Sequence, residues 1–145
     1  MIRYLLDTNA ISESRKGTRA NRGMQGWILA NDPALWALSV ITLGEIREGV
    51  ELVRVNDPLQ ANALERWLRI TQSKFEKQIL PVTLAIAEEW GRLMAAYVLP
   101  VNDAWLAATA LCHDLTVVTR NVADFKRAGV RVLNPFSTPS AGGSK

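Results

Sequence analysis

Four acidic residues stand at points where the chain leaves an apolar run or opens a helical one, and their positions suggest shared chemistry. They are Asp7 in YLLDTNAISE, Glu45 in SVITLGE, Asp103 in PVNDAWLAATAL and Asp124 in LTVVTRNVAD. Carboxylates brought together can hold a divalent cation, which lowers the pKa of a bound water and offsets charge on a phosphodiester. If the four acids meet, the sequence predicts metal-assisted hydrolysis of a phosphate ester, which needs no histidine base.

Helix capping offers an alternative interpretation for each acid taken singly. The four positions read as a Thr42-x-x-Glu45 capping box, an Asp103 N-cap, an Asn121-x-x-Asp124 cap and an Asp7 cap after the first strand. Four caps at one edge of a sheet would gather four like charges, raising pKa values and costing stability unless a cation offsets them. Taken together, the acids therefore favour a metal site.

The available ligand types select the ion. Oxygen donors without thiolate or imidazole favour the hard cations Mg²⁺ and Mn²⁺ over zinc. The only histidine, His113, and the only cysteine, Cys112, lie at the far end of the helix that Asp103 opens. We expect a solvated or partly packed role for His113 and a small core position for Cys112.

The elements that must position the acids alternate along the chain. Predicted strands cover residues 2–6, 35–41, 78–82, 115–119 and 130–133, and predicted helices cover residues 43–55, 58–77, 83–98 and 103–113. This alternation predicts an α/β fold, a doubly wound parallel sheet of about five strands with helices on both faces. In such sheets ligands bind beyond the carboxyl ends of the strands, where strand order reverses, and all four acids are expected there.

Length and composition limit the class of protein and its domain organisation. The chain has 145 residues, 48% of them hydrophobic and 21% charged, which is typical of one globular domain. We expect that domain to span residues 1–136, followed by a flexible tail, residues 137–145 (STPSAGGSK). No apolar stretch reaches the ~20 residues of a membrane helix, and one cysteine with no signal-like start favours the cytoplasm.

Several motifs together resemble one family. LLDTNAISE, SVITLGEIREGVE, NDAWLAATAL and VVTRNVADF followed by VLNPF are similar to blocks of the PIN-domain ribonucleases of the VapC type, over residues 3–136. The resemblance implies a PIN-like fold and a Mg²⁺- or Mn²⁺-dependent endoribonuclease, the toxin of a type II toxin-antitoxin pair. It also implies inhibition by a VapB-type antitoxin, a homodimer that assembles further with that antitoxin, and structured RNA of the tRNA or rRNA class as substrate.

The resemblance also assigns residues. Asp7, Glu45 and Asp103 carry over as catalytic, metal-binding carboxylates, with Thr8 and Asn9 as supporting polar groups.

The fourth acidic position is open in the family pattern. Some relatives have an acid directly after the TR pair, where this chain has Asn121, and others use the position of Asp124. A second or outer metal ion needs the charge of a carboxylate rather than the polarity of an amide. We therefore expect Asp124 to bind the ion and Asn121 to position the turn. The link MAAYVLPVND is also shorter than the basic, glycine-containing turn of many relatives.

Two sets of side chains bear on substrate and assembly. RNA contacts are predicted for the basic segment SESRKGTRANRG through Arg15, Lys16, Arg19 and Arg22, with a solvated face as an equally weighted alternative. Arg120, Lys126 and Arg127 form a smaller basic group beside Asp124. The five tryptophans fit core or subunit packing, and the helix faces around Trp67 and Trp90 are candidates for a dimer surface.

Two other functions fit the same acids. A metal-dependent phosphatase would use carboxylates at a sheet edge, although DTN lacks the second aspartate of a phosphoaspartyl mechanism. A non-catalytic RNA- or protein-binding module would use the acids only as caps.

Overall fold

A computed structural model describes residues 1–137, which contain a parallel five-stranded sheet. The strands are β1 (Tyr4–Leu6), β2 (Trp36–Ser39), β3 (Ile79–Leu80), β4 (Thr116–Val118) and β5 (Val132–Leu133). Their order is β3-β2-β1-β4-β5, and every adjacent pair is parallel. All five predicted strands are therefore confirmed.

The helices follow the strands and cover the sheet. Within residues 1–137 they are α1 (Thr8–Ser14), α2 (Arg22–Ala30), α3 (Val40–Asn56), α4 (Pro58–Lys74), α5 (Leu84–Ala96), α6 (Val101–His113) and α7 (Val122–Arg127). The four predicted helices correspond to α3, α4, α5 and α6. The other three are short, and α2 contains Gly23 and Gly26, which lower helix propensity.

The sheet separates two hydrophobic cores because successive strand residues point to opposite faces. On one face, Leu5 and Val117 pack in a cluster with residues of α5, α6 and α7. On the other face, Leu6 and Val118 pack in a cluster with residues of α1 to α4. Burial on both sides explains the continuous apolar strands and confirms the doubly wound architecture.

The boundary between β2 and α3 differs from the prediction. The strand ends at Ser39, whose hydroxyl accepts from the backbone N–H of Ile41 at 3.0 Å and so caps α3. Ile41 is therefore helical, and Thr42 lies fully buried inside the helix. The alternative interpretation of Thr42-x-x-Glu45 as a capping box is therefore wrong, because the helix begins two residues before it.

The chain path fixes where a ligand would bind. From central β1 the chain builds outward through β2 to β3, then returns through α5 and α6 to place β4 on the other side of β1. Strand order thus reverses between β1 and β4, which makes their carboxyl ends the topological switch point.

Two further expectations concern membranes and the tail. Across residues 1–137, the helices all fall short of the length and apolarity needed to cross a bilayer. Of the predicted tail, Ser137 ends a short 3₁₀ turn that begins at Pro135, and residues 138–145 lie outside the described residues.

Candidate active site

Asp7 lies at the switch point, directly after β1. Its carboxylate accepts from the Thr8 backbone N–H at 2.7 Å, from the Thr119 hydroxyl at 2.8 Å and from the Asn9 amide at 3.3 Å. Burial raises the pKa of Asp7 above its usual range, although the hydrogen bonds from Thr119 and Thr8 act against this rise and the charge of Glu45 adds to it. Hydrogen bonds therefore hold Asp7 in a fixed orientation, while burial disfavours its ionised form.

Thr119, directly after β4, joins the two central strands at this point. Besides donating to Asp7, its buried hydroxyl accepts from the Asn9 amide at 3.3 Å and from the Asn121 backbone N–H at 2.9 Å. The side-chain amide oxygen of Asn9, Oδ1, in turn accepts from the Arg120 backbone N–H at 3.1 Å. Sequence reasoning assigned a supporting role to Asn9 but missed Thr119, whose only signal was a hydroxyl at a strand end.

Glu45 reaches the site from the second turn of α3. One carboxylate oxygen accepts from the Thr8 hydroxyl, and the other accepts from the Asn102 amide at 2.8 Å. Thr8 was predicted as a supporting residue, whereas Asn102 was not singled out.

Asp103 lies in the first turn of α6 and is half-buried. Burial, and after it the charges of Asp7, Asp124 and Glu45 in that order, together raise its pKa from 3.8 to about 6. The Asn121 amide donates to Asp103 at 3.0 Å and acts in the opposite direction. All four predicted acids thus share one electrostatic environment, which we call the acid cluster.

Asp124 is the only member of the acid cluster given a cationic partner by the described ion pairs. It lies in the first turn of α7, and the Arg127 guanidinium contacts its carboxylate at 3.2 Å. Arg127 also donates to the Val98 carbonyl at 2.7 Å. The short link before α6 is therefore fastened to the helix that carries Asp124.

Capping accounts for only one of the four acids. Asp7 is the N-cap of α1, whereas Ser39 caps α3 in place of the predicted capping box. Pro100 precedes α6, so the alternative interpretation of Asp103 as an N-cap is wrong. Asn121 does precede α7, but its side chain binds Asp103 and makes no cap.

The donor set suits a hard divalent cation, although the acids as they stand do not form a closed coordination sphere. Among residues 1–137, no three acidic, histidine or cysteine side chains are arranged to hold an ion together. Neutral hydroxyl and amide groups instead bind Asp7, Glu45 and Asp103. Burial and, after it, repulsion from the neighbouring acids raise the pKa of Asp103, so excess negative charge is disfavoured at this site. An all-oxygen donor set with excess negative charge fits Mg²⁺ or Mn²⁺.

Cys112 and His113 are remote from these acids. They occupy the last turn of α6, about 15 Å along the helix from Asp103. Both side chains are exposed. The solvated role of His113 is confirmed, and the predicted core position of Cys112 is wrong because its face of α6 is not covered.

The predicted RNA-binding residues divide into two groups. Arg15, Lys16, Arg19 and Arg22 are all exposed, but Lys16 contacts Glu13 at 3.0 Å. Arg15 borders a cavity of about 260 Å³ together with Thr8 and Glu45. Arg15 therefore shares a cavity with Glu45 of the acid cluster, while Lys16, just after α1, is paired with Glu13 of that helix.

Four of the tryptophans form stacked pairs rather than an open platform. Trp27 stacks on Trp36 with ring centroids 5.2 Å apart, and Trp90 stacks on Trp105 at 4.5 Å. All four belong to the cores or pack against them. The expected packing role is confirmed for these four rings.

Comparison with known proteins identifies the family. The PIN domain profile matches residues 4–130. Plasmid stability protein StbB of Pseudomonas syringae pv. tomato is 35% identical over 136 residues, covering 91% of this chain and 97% of the relative. VapC ribonuclease Y4jK of Sinorhizobium fredii is 31% identical over 145 residues, covering 91% and 96%.

Solved structures agree with the sequence relatives. The crystal structure of FitAcB from Neisseria gonorrhoeae superimposes with a TM-score of 0.83 at 32% identity, covering 93% of this chain and 99% of that chain. A toxin-antitoxin complex from Klebsiella pneumoniae gives a TM-score of 0.69 at 30% identity, with coverages of 93% and 99%. By its fold, by the matching family profile and by relatives along nearly its whole length, the chain belongs to the PIN domain family, in its VapC-type group.

Proposed function

We propose that this protein is the endoribonuclease toxin of a VapBC-type toxin-antitoxin pair, dependent on Mg²⁺ or Mn²⁺ and acting in the cytoplasm on structured RNA of the tRNA or rRNA class. The proposal rests above all on one observation: Asp103 is coupled to the charges of Asp7, Glu45 and Asp124 at the switch point of the sheet. Relatives named VapC ribonuclease support the reaction class.

Four carboxylates would hold the metal: Asp7, Glu45, Asp103 and Asp124. A bound divalent cation would supply an activated water and offset charge on the scissile phosphate. The chain itself orients the acids, because Thr119 and Asn9 bind Asp7 while Thr8 binds Glu45. Asn121 holds Asp103 from the turn before α7.

The basic segment after α1 would bind RNA. Arg15 borders the cavity beside Glu45, and Arg19 and Arg22 continue the exposed positive surface away from it. Guanidinium groups at such positions bind phosphates flanking the cleaved bond and set the register of the strand. Lys16 would contribute less, because Glu13 already offsets its charge.

A VapB-type antitoxin and a second copy of this chain would be the protein partners. Support for the antitoxin comes from the toxin-antitoxin complex of Klebsiella pneumoniae, which the chain matches over 93% of its length. The half-buried Trp67 and Trp90 lie on helix faces that remain our candidates for a dimer surface.

One assay separates this function from the two alternatives. The purified protein would be incubated with total cellular RNA and with a chromogenic phosphate monoester, each with Mn²⁺ and with EDTA, beside Asp103→Asn as a matched inactive control. We expect Mn²⁺-dependent cleavage of RNA alone, absent from the variant. Hydrolysis of the monoester would favour a phosphatase, and no cleavage of either substrate would favour a binding module. Mapping the RNA ends would then identify the substrate.

A further inference from the structure

Glu45 is bound at both carboxylate oxygens by neutral groups on two different helices. Thr8 on α1 donates to one oxygen, and Asn102 on α6 donates to the other at 2.8 Å. Thr8 directly follows Asp7 in the sequence, and Asn102 directly precedes Asp103. The residues beside two acids thus hold the third.

The Asn102 side chain is not explained by the needs of its own helix. Pro100 precedes α6 without a side-chain cap, and Asn102, two residues later, turns away to a residue 57 positions earlier in the chain. Its amide is half-buried between α6 and α3. The role that the structure shows for the Asn102 side chain is therefore its hydrogen bond to Glu45.

We propose that Asn102 is a positioning residue for Glu45, orienting its carboxylate toward the divalent cation of the acid cluster. This inference rests on the proposed function. A glutamate side chain has several rotatable bonds, and fixing it in advance lowers the entropy lost when an ion binds. A neutral amide fixes the orientation without cancelling the negative charge, whereas lysine or arginine at the same place would cancel it.

A double-mutant cycle on the metal-free protein tests the contact itself. The variants are Asn102→Ala, Glu45→Gln and the double variant, with unfolding by urea followed in EDTA. If the amide binds the Glu45 carboxylate, the two substitutions are not additive, and the coupling changes the unfolding equilibrium constant by about tenfold. Additive effects would overturn the proposal, because the two side chains would then act independently.

Mn²⁺ titration by calorimetry tests the consequence. We expect Asn102→Ala to weaken Mn²⁺ binding by about tenfold, the usual effect of losing a partner that orients a metal ligand. In the Glu45→Gln background the same substitution should change the affinity by less than about twofold. Val101→Ala is the matched control, since Val101 is the exposed neighbour of Asn102 on α6 and its loss should leave Mn²⁺ affinity unchanged.

The outcomes distinguish this inference from the proposed function. Mn²⁺ binding by the wild type with unaltered affinity in Asn102→Ala would overturn the positioning role alone. An equal loss in both Glu45 backgrounds would also overturn it, because Asn102 would then act without Glu45. A wild type that binds no Mn²⁺ would contradict the metal-dependent function itself and, with it, this inference.

Discussion

Asp103 is the acid whose ionisation the fold disfavours most clearly, and this predicts a substitution that stabilises the metal-free protein. Its pKa is raised from 3.8 to about 6, first by burial and then by the other acids. A carboxyl with a raised pKa in the folded state contributes stability below pH 4, and this contribution is lost as the pH rises through about 6. At pH 7 the neutral Asp103→Asn variant should therefore be more stable than the wild type, by about 1 kcal/mol after allowance for its partial exposure.

Urea unfolding in EDTA at pH 4 and pH 7 measures this effect. The advantage of Asp103→Asn should be present at pH 7 and shrink toward zero at pH 4, where Asp103 of the wild type is protonated. Comparing the two proteins at each pH removes the contributions of other groups, such as Glu13, whose pKa is lowered. A variant less stable than the wild type at pH 7 would mean that the Asn121 hydrogen bond outweighs the repulsion.

The fourth metal ligand is the next question at the scale of single residues. After burial and the charge of Asp7, the charge of Asp124 contributes to the raised pKa of Asp103, whereas Asn121 contributes an amide that binds Asp103. Asp124→Asn should therefore raise the Mn²⁺ concentration for half-maximal RNA cleavage by about tenfold, with the rate partly recovered at high Mn²⁺. Asn121→Ser should raise it less, because it alters only the orientation of Asp103. If Asn121→Ser raised this Mn²⁺ concentration more than Asp124→Asn did, Asn121 and not Asp124 would be the fourth metal ligand.

At the scale of elements, Glu13 connects the end of α1 to the beginning of α2. Its buried carboxylate accepts from the Asn21 backbone N–H at 2.7 Å and contacts Lys16 at 3.0 Å. These bonds, the Asn21 bond foremost, lower the pKa of Glu13, so its contribution to stability is present above its unfolded pKa and is lost as the pH falls. Glu13→Gln should cost about 1–3 kcal/mol at pH 7, measured by urea unfolding.

The exposed Glu48 on α3 supplies the matched control for this prediction. Glu48→Gln should change the free energy of unfolding by less than about 0.5 kcal/mol. Similar small effects for both glutamates would mean that Glu13 does not hold α1 to α2.

The basic segment is likewise a property of an element. Replacing Arg15, Arg19 and Arg22 together by glutamine should weaken RNA binding and flatten its salt dependence, by up to about two in the log–log slope. Fluorescence anisotropy of a labelled RNA in EDTA, over a range of salt concentrations, measures this without cleavage. Lys16 is left unchanged because Glu13 binds it.

Three exposed basic residues elsewhere, Arg3, Arg66 and Lys77, provide a control of equal charge change. Replacing these three residues together by glutamine should weaken RNA binding less than the basic-segment variant does, and should flatten its salt dependence less. If the salt-dependence slope falls equally in both triple variants, the net charge of the molecule attracts RNA and the basic segment makes no specific contacts.

The limits of prediction from sequence are visible at this same scale. Periodicity and apolar runs identified every strand and the four long helices, because burial on one or both faces leaves a pattern in neighbouring residues. Short α1 and α7 leave little such pattern. Thr119 and Asn102 were missed for another reason. Their partners lie 112 and 57 residues away, and one sequence does not state which side chains face each other.

For the molecule as a whole, the acid cluster joins segments that only folding brings together. Asp7 follows β1, Glu45 belongs to α3 and Asp103 belongs to α6, so an ion bound by them bridges elements from both halves of the chain. The unfolded chain offers no such arrangement, and a ligand that binds only the folded state stabilises it. At about one hundred times its dissociation constant, Mn²⁺ should add about 2.7 kcal/mol to the free energy of unfolding.

This stabilisation predicts a reversal of order between two proteins. Without metal, Asp103→Asn should unfold at a higher temperature than the wild type, because the neutral amide removes a partly buried charge and the repulsion that this charge meets in the acid cluster. With saturating Mn²⁺ the wild type should gain about 5–10 °C in Tm while the variant gains little, so the wild type becomes the more stable protein. Differential scanning calorimetry of both proteins, in EDTA and in Mn²⁺, measures the four values. Equal gains in the two proteins would place the bound ion away from Asp103, and a wild type unmoved by Mn²⁺ or Mg²⁺ would leave the acid cluster without its proposed ligand.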